Sequence, residues 1–275
     1  MLVQIKENIA ATIGVPYEVI AIDNSNRQYG ICAAYNLGAS QSQYEVLCFL
    51  HEDLRFHTSG WGSTVLRNLA SPRAGVLGVA GTTYQVKAPT GWTAAGLDSI
   101  RINVLHTTDK PVMQHDHWNP TGTATAPVAT LDGLWLCCCK TVWQEFPFNE
   151  VAFPHFHFYD IDFCTKIATK YQNLVTFEVL IEHFSKGTFA KDWLVYAVKY
   201  YKLRAKHLPF GPLAVGAAEA RRLEIHAFQE AIRMMIDKQL SAVDIRYCLY
   251  KCLQLAPLNR GTWWLAKQYL KAQAA

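Results

Sequence analysis

The chain has 275 residues, 51% hydrophobic and 17% charged, which excludes a disordered segment and suffices for one ordinary α/β domain with a smaller appendage. Its formal net charge of +4 rests on scattered Lys and Arg, which excludes the basic footprint of a dedicated nucleic-acid binder and leaves room for an anionic small ligand. No apolar run approaches the roughly 18 residues of a membrane span, no leader-like pattern opens the chain and its 8 Cys include no CxxC pair, so a reducing, cytoplasmic setting is expected.

Residues 5–13 space their apolar side chains helically and stop at Gly14 and Pro16, which predicts a short leading helix. Residues 17–22 are β-rich and end in the turn formers Asp23, Asn24, Ser25 and Asn26, which predicts a strand entering a polar loop. Residues 29–40 predict a small-residue helix, and the apolar run 46–50 predicts a buried strand ending at His51, Glu52 and Asp53. This order predicts a mostly parallel sheet flanked by helices, with ligands beyond the carboxyl ends of its strands. Asp23 and Asp53 would then share one cleft.

Residues 61–69 predict another helix, 75–81 a glycine-flanked strand, and 82–130, rich in Gly, Pro, Thr and His, an irregular cover over the cleft. Strand character returns over 128–139, broken by Asp132 and Gly133; a helical turn follows at 140–145, a helix at 162–171, and a strand at 174–181 ending at Glu182 and His183. From Asp192 onward the pattern is helical throughout. Ile225, Phe228, Ile232, Met235 and Ile236 form one stripe, Ser241 to Asp244 resembles a helix start before 245–255, and Pro257 and Gly261 set off a last helix. Two units are expected: residues 1–190 and an all-helical 191–275.

Several side chains in this frame could carry chemistry. Asp23 can accept hydrogen bonds from a base or ribose, or close an Asx turn. His51, Glu52 and Asp53 place oxygen and nitrogen donors at a strand end, where a divalent cation could bridge to a diphosphate, or else they form a solvated loop. His157, Asp160 and Asp162 lie among aromatics, whose burial raises a carboxylate toward the range of a general base; the alternative is helix capping. Neighbours point apart, so one carboxylate is expected in the cleft and the other in a structural role. His183, before Ser185, Lys186 and Gly187, can serve a metal or a phosphate. His115 and His117 share a strand face with no third ligand at zinc-like spacing, and Cys137, Cys138 and Cys139 are expected to pack. Lys199, Lys202, Arg204 and Lys206 beside Tyr200 and Tyr201 form either a solvated basic face or a membrane-surface contact. No GxxxxGK[ST], HExxH, GxSxG or GxGxxG motif occurs.

Taken in order, these segments resemble the bacterial glycosyltransferase-like family related to the streptomycin-biosynthesis StrF domain, within the family 2 glycosyltransferases. The resemblance runs over about residues 6–193. It rests on Pro16 to Ser25, on Phe49-Leu50-His51-Glu52-Asp53-Leu54, on Leu131-Asp132-Gly133-Leu134-Trp135, on Phe156 to Phe163, and on Glu182-His183-Phe184-Ser185-Lys186-Gly187. It implies a GT-A fold and inverting, in-line transfer of a sugar from a nucleotide-diphosphate donor to a glycan, lipid-linked or small-molecule hydroxyl, as in polysaccharide biosynthesis. It further implies that Asp23, Asn24 and Ser25 meet the nucleoside. Asp53, at the fold's Asp-any-Asp position, would bind Mn or Mg with His51, which replaces the first acid, and with His183. Asp160 would be the general base, and Asp132, Trp135, His157, Asp162 and Glu52 would line the donor and acceptor pocket. Relatives open with an apolar-Ser-apolar-apolar strand, whereas Met1-Leu2-Val3-Gln4 stand directly before the first helix here, so the first strand is expected to be missing. The alternative expectation is a catalytically inactive nucleotide- or glycan-binding module derived from such an enzyme.

Overall fold

A computed structural model describes residues 1–107, 113–185 and 190–274; Lys186 and Gly187, part of the last motif above, lie outside the described residues. Helical periodicity is realised where expected in α1 (Leu2–Thr12) and α2 (Ile31–Gln41). Next come β1 (Val46–Leu50), β2 (Leu54–Phe56), α3 (Trp61–Leu69), β3 (Ala74–Gly78) and β4 (Ala80–Thr82). The stretch expected to be irregular contains β5 (Ile100–His106), β6 (Gln114–Trp118) and β7 (Thr125–Val128). Then follow β8 (Thr130–Leu131), β9 (Trp135–Cys139), α4 (Lys140–Glu145), α5 (Tyr159–Ile167), β10 (Gln172–Thr176) and β11 (Ile181–His183). Four helices complete the chain: α6 (Lys191–Arg204), α7 (Ala217–Asp237), α8 (Ala242–Leu255) and α9 (Arg260–Ala274).

The chain is mixed α/β. One sheet runs β1-β9-β3-β10-β7 and the other β2-β11-β5-β4-β8, with β6 also on β5. Among the described residues only β3–β10 and β5–β11 pair in parallel, so the expectation of a mostly parallel sheet is corrected to mixed sheets. The reason lies in residues 17–22. They join no ladder; instead Ile20 and Ile22 approach Gly38 of α2, and the Glu18 carboxylate accepts from the Gln43 amide at 2.7 Å and the Ser42 hydroxyl at 3.0 Å. An extended segment becomes a strand only when a neighbour's amides and carbonyls meet its own. In consequence β1 is an edge strand, paired among the described residues only with antiparallel β9.

Among the described residues the chain passes seven times from one sheet into the other between consecutive strands: β1 to β2, β2 to β3, β3 to β4, β6 to β7, β7 to β8, β8 to β9, and β10 to β11. Two of these crossings are His51-Glu52-Asp53 and Asp132-Gly133-Leu134. At such a seam the strands end, so polar side chains lose their flanking cross-strand neighbours and can meet partners from both sheets.

Period-2 alternation divides the core. In β9, Trp135 and Cys137 face a cluster with Phe56 and Trp61, while Leu136 and Cys138 face the other cluster, with Phe49 and Phe163. The packing role expected for the cysteine run is thus realised on opposite faces. Phe163 stacks on Phe148 at 4.0 Å between centroids, and such a buried ring is worth about 3–5 kcal/mol against alanine. The helical region packs into the same cluster through Tyr200, Phe228, Ile232 and Leu265. Ser241 starts α8 as its sequence predicts, accepting from the Asp244 amide at 3.2 Å. Among the described residues no helix is long and apolar enough to cross a membrane.

Candidate active site

At the first seam, β1 ends and its polar tip meets β11. His51 Nδ1 lies 3.9 Å from Asp53 Oδ1, and His183 Nε2 lies 3.4 Å from Asp53 Oδ2 and 3.1 Å from the Ser185 hydroxyl. The ligand atoms of His51, Asp53 and His183 all fall within 4.8 Å of one another. Two imidazole nitrogens and one carboxylate oxygen could hold a divalent metal ion, and three protein ligands leave positions open to substrate oxygens. Burial pulls the His51 imidazole below its ordinary pKa, against the opposite pull of Asp132 and Asp53, so the neutral, ligating form is favoured.

Hydrogen-bond chemistry fixes the tautomer of His51. The Tyr159 hydroxyl is 3.0 Å from the Gly133 carbonyl and 2.8 Å from His51 Nε2. A carbonyl only accepts, so the hydroxyl donates to Gly133 and accepts from the Nε2 proton. His51 Nδ1 is left with its lone pair facing Asp53. Only glycine serves at position 133, because a Cβ there would stand 2.1 Å from the Tyr159 hydroxyl.

The same turn organises the carboxylates. Asp132 Oδ1 accepts from the Leu134 amide and its Oδ2 from the Trp92 indole, each at 3.0 Å. Asp160, in the first turn of α5, is pushed up to about 7, chiefly by burial and next by the Asp132 charge; bonds from the amides of Ile161, Asp160 and Gly133 restrain the rise. Before this helix, Phe158 adopts φ 64°, a left-handed conformation that is costly for a bulky residue. Its burial against the Trp193 and Tyr200 rings, at 5.2 and 5.5 Å, holds it there and aims Tyr159 and Asp160.

The other expected residues fall elsewhere. Asp162 is buried and takes a 2.6 Å bond from Arg204 Nε, the structural role foreseen for one of the two acids. Trp135 is a core ring set edge-on to Phe56 and Trp61. His157 is half-buried and burial lowers its pKa, whereas Glu52 is exposed. Asp23 closes an Asx turn through the Ser25 amide at 3.0 Å, and Asn24 bonds Tyr29 in both directions, so this loop ties itself together. His115 and His117 both reach the Asn103 side-chain oxygen, at 2.9 and 3.1 Å, which occupies one nitrogen of each. Of the basic face expected on α6, Lys202 pairs with Asp244 and Arg204 with Asp162, Lys199 and Lys206 are exposed, and Tyr200 and Tyr201 point inward.

Sequence reasoning gave no role to Tyr159, Gly133 or Trp92. Tyr159 and Gly133 sit inside quoted motifs, whereas Trp92 lies 40 positions from Asp132 in a stretch without periodicity. Two surface cavities of about 420 Å³ lie away from the seam, one beside Lys140 and Trp143 and one between Thr93 and His226.

A family model described as a glycosyltransferase-like family matches residues 2–207. Among curated proteins none matches the sequence. Among solved structures the chain is similar to GalNAc-T7 crystallised with UDP, GalNAc and Mn2+, at 11% identity and a TM-score of 0.43, covering 84% of this chain and 45% of that one. The chain therefore spans less than half the length of that relative.

Proposed function

The chain belongs to the glycosyltransferase-like family, and from that premise we propose that it transfers a sugar from a nucleotide-diphosphate donor to an acceptor hydroxyl, with inversion and with a divalent metal. The observation that carries this reading is the convergence at one seam of a three-ligand cluster, His51, Asp53 and His183, with a carboxylate, Asp160, pushed up to about 7. Residues 1–190 are proposed as a GT-A-type catalytic unit and 191–275 as a helical region packed on it.

In this reading Asp160 takes the proton from the acceptor oxygen as that oxygen attacks the anomeric carbon in line with the departing diphosphate. Asp132, fixed by Trp92 and Leu134, keeps the Asp160 pKa near the working pH and can accept a sugar hydroxyl. His51, Asp53 and His183 would hold the metal, and two nitrogens with one oxygen suit Mn better than Mg. When bound, that ion would offset charge on the leaving diphosphate. His157, half-buried beside Phe156, is proposed to face the acceptor, with exposed Glu52 at the pocket rim. Asp23, Asn24 and Ser25 are proposed to meet the nucleoside, with the exposed Asp23 carboxylate as the acceptor.

A second reading, a binding module without turnover, is favoured by the unladdered segment 17–22, which leaves β1 open on one edge. One experiment addresses both. Asp160→Asn should lower turnover by about 10²–10⁴-fold while calorimetric donor binding in Mn stays at the parent level. A variant that transfers at the parental rate removes Asp160 as base. Donor binding by a parent chain that never transfers selects the module.

A further inference from the structure

The positive side chains are spread along the chain, but the negative ones are not. Residues 242–274 hold five of the 26 Lys and Arg, namely Arg246, Lys251, Arg260, Lys267 and Lys271, and one of the 22 Asp and Glu, Asp244. The α8–α9 hairpin therefore carries a local formal charge of five minus one, or +4. Asp244 bonds Lys202 and Ser241, and α9 contains no acid.

The two faces of α9 differ sharply. Thr262, Leu265 and Tyr269 are buried, with Thr262 bonded to Gln229 of α7 and Cys252 of α8, which fixes the helix's rotation. At 100° per residue the opposite side carries Arg260, Trp263, Trp264, Lys267, Leu270 and Lys271 together. Trp263 is 57% exposed, Trp264 52%, Leu270 66%, and Leu258 in the preceding turn 91%. The Trp263 indole N–H already donates to the Pro257 carbonyl at 2.7 Å, so its ring can leave water without stranding a donor.

We propose that this outward face of α9, with Leu258 of the α8–α9 turn, docks on the surface of an anionic phospholipid bilayer. Exposed indoles and leucines gain by entering the boundary between headgroups and acyl chains, and Arg260, Lys267 and Lys271 stand where anionic headgroups would meet them. A second copy is a poor occupant, because two hairpins of like charge would face each other, and nucleic acid offers Leu258 and Leu270 no apolar partner. The site is distinct from the α6 basic face, where Lys202 and Arg204 are paired with Asp244 and Asp162, and it does not depend on the transferase reading.

The test is partition of the full-length chain onto vesicles of phosphatidylcholine alone or with about 30% phosphatidylglycerol, at about 50 and 500 mM NaCl. Anionic vesicles should bind at least about tenfold more tightly at low salt, and bromine-labelled lipid should quench tryptophan emission. The pair Lys267→Gln with Lys271→Gln should weaken binding by about tenfold or more. Trp263→Ala with Trp264→Ala should weaken it and remove the quenching, while Lys199→Gln on α6 should change nothing. Should either pair lose helical circular dichroism, the other reads the same face. Equal partition onto both vesicle types, indifference to both pairs, or a dimer that the tryptophan pair breaks in light scattering would overturn the proposal.

Discussion

The loop at residues 23–29 and the seam around His51 both follow an apolar run with a polar tip, and they end in opposite chemical states. In the loop the bonds are local: Ser25 to Asp23, and Asn24 to Tyr29 in both directions. Asp23 stays in water, and bonds from Ser25 hold its carboxyl below the ordinary range. At the seam the partners come from distant positions, with His51 on Tyr159, Tyr159 on Gly133, and Asp53 on His183. Burial there raises Asp160 to about 7. The residue types are alike, so reactivity follows from tertiary convergence, which desolvates a group and sets a second charge beside it.

If that contrast is right, the largest effect belongs to the Asp160 charge. Its folded pKa lies above its unfolded one, so the fold holds the proton more tightly, and stability is lost as pH rises from the ordinary carboxylate range through about 7. Asp160→Asn should therefore be more stable than the parent at pH 8 by about 2–4 kcal/mol and by less than half of that at pH 5, by denaturant titration. Equal stability at both values would mean that the seam does not desolvate Asp160.

The metal cluster comes next. Asp53→Ala removes the carboxylate that both histidines face and should lower Mn affinity by about 100-fold or more, read by electron paramagnetic resonance of free Mn. Tyr159→Phe leaves every ligand in place but frees the His51 tautomer, and should cost about tenfold. Unchanged affinity in Tyr159→Phe would show that the tautomer is fixed otherwise, and unchanged affinity in Asp53→Ala would show that the cluster does not hold Mn.

Much of this was legible because helices and strand-end ligands are written locally. The 3.6 period placed α1 and α7, and ionisable residues after apolar runs marked His51, Asp53 and His183. Other features depend on partners. Residues 17–22 have strand composition, yet among the described residues no strand pairs with them. β5 alternates Ile100, Ile102 and Val104, a period-2 signal masked by the turn formers around it. The exchange of strands between sheets leaves no mark in composition, so Tyr159 and Trp92 could not be tied to His51 and Asp132. The charge of the α8–α9 hairpin could be read by counting, but only from the acids it lacks rather than the bases it holds.

The smallest expected effect falls on the loop and probes the contrast from its quiet side. Asp23→Ala removes the acceptor for the Ser25 amide, but that amide is exposed and water replaces the lost bond, so the melting midpoint should move by no more than about 2 °C. The Asn24 bonds to Tyr29 keep the loop closed, and the seam shares none of these partners, so Mn affinity and the pH-rate profile should stay at parental values. Nucleoside diphosphate affinity should fall several-fold if the Asp23 carboxylate meets the nucleoside, because a charged acceptor is lost and solvent screens part of its contribution at an exposed site. A shift in the Asp160 pH profile would show instead that loop and seam are coupled, and would end their treatment as separate regions.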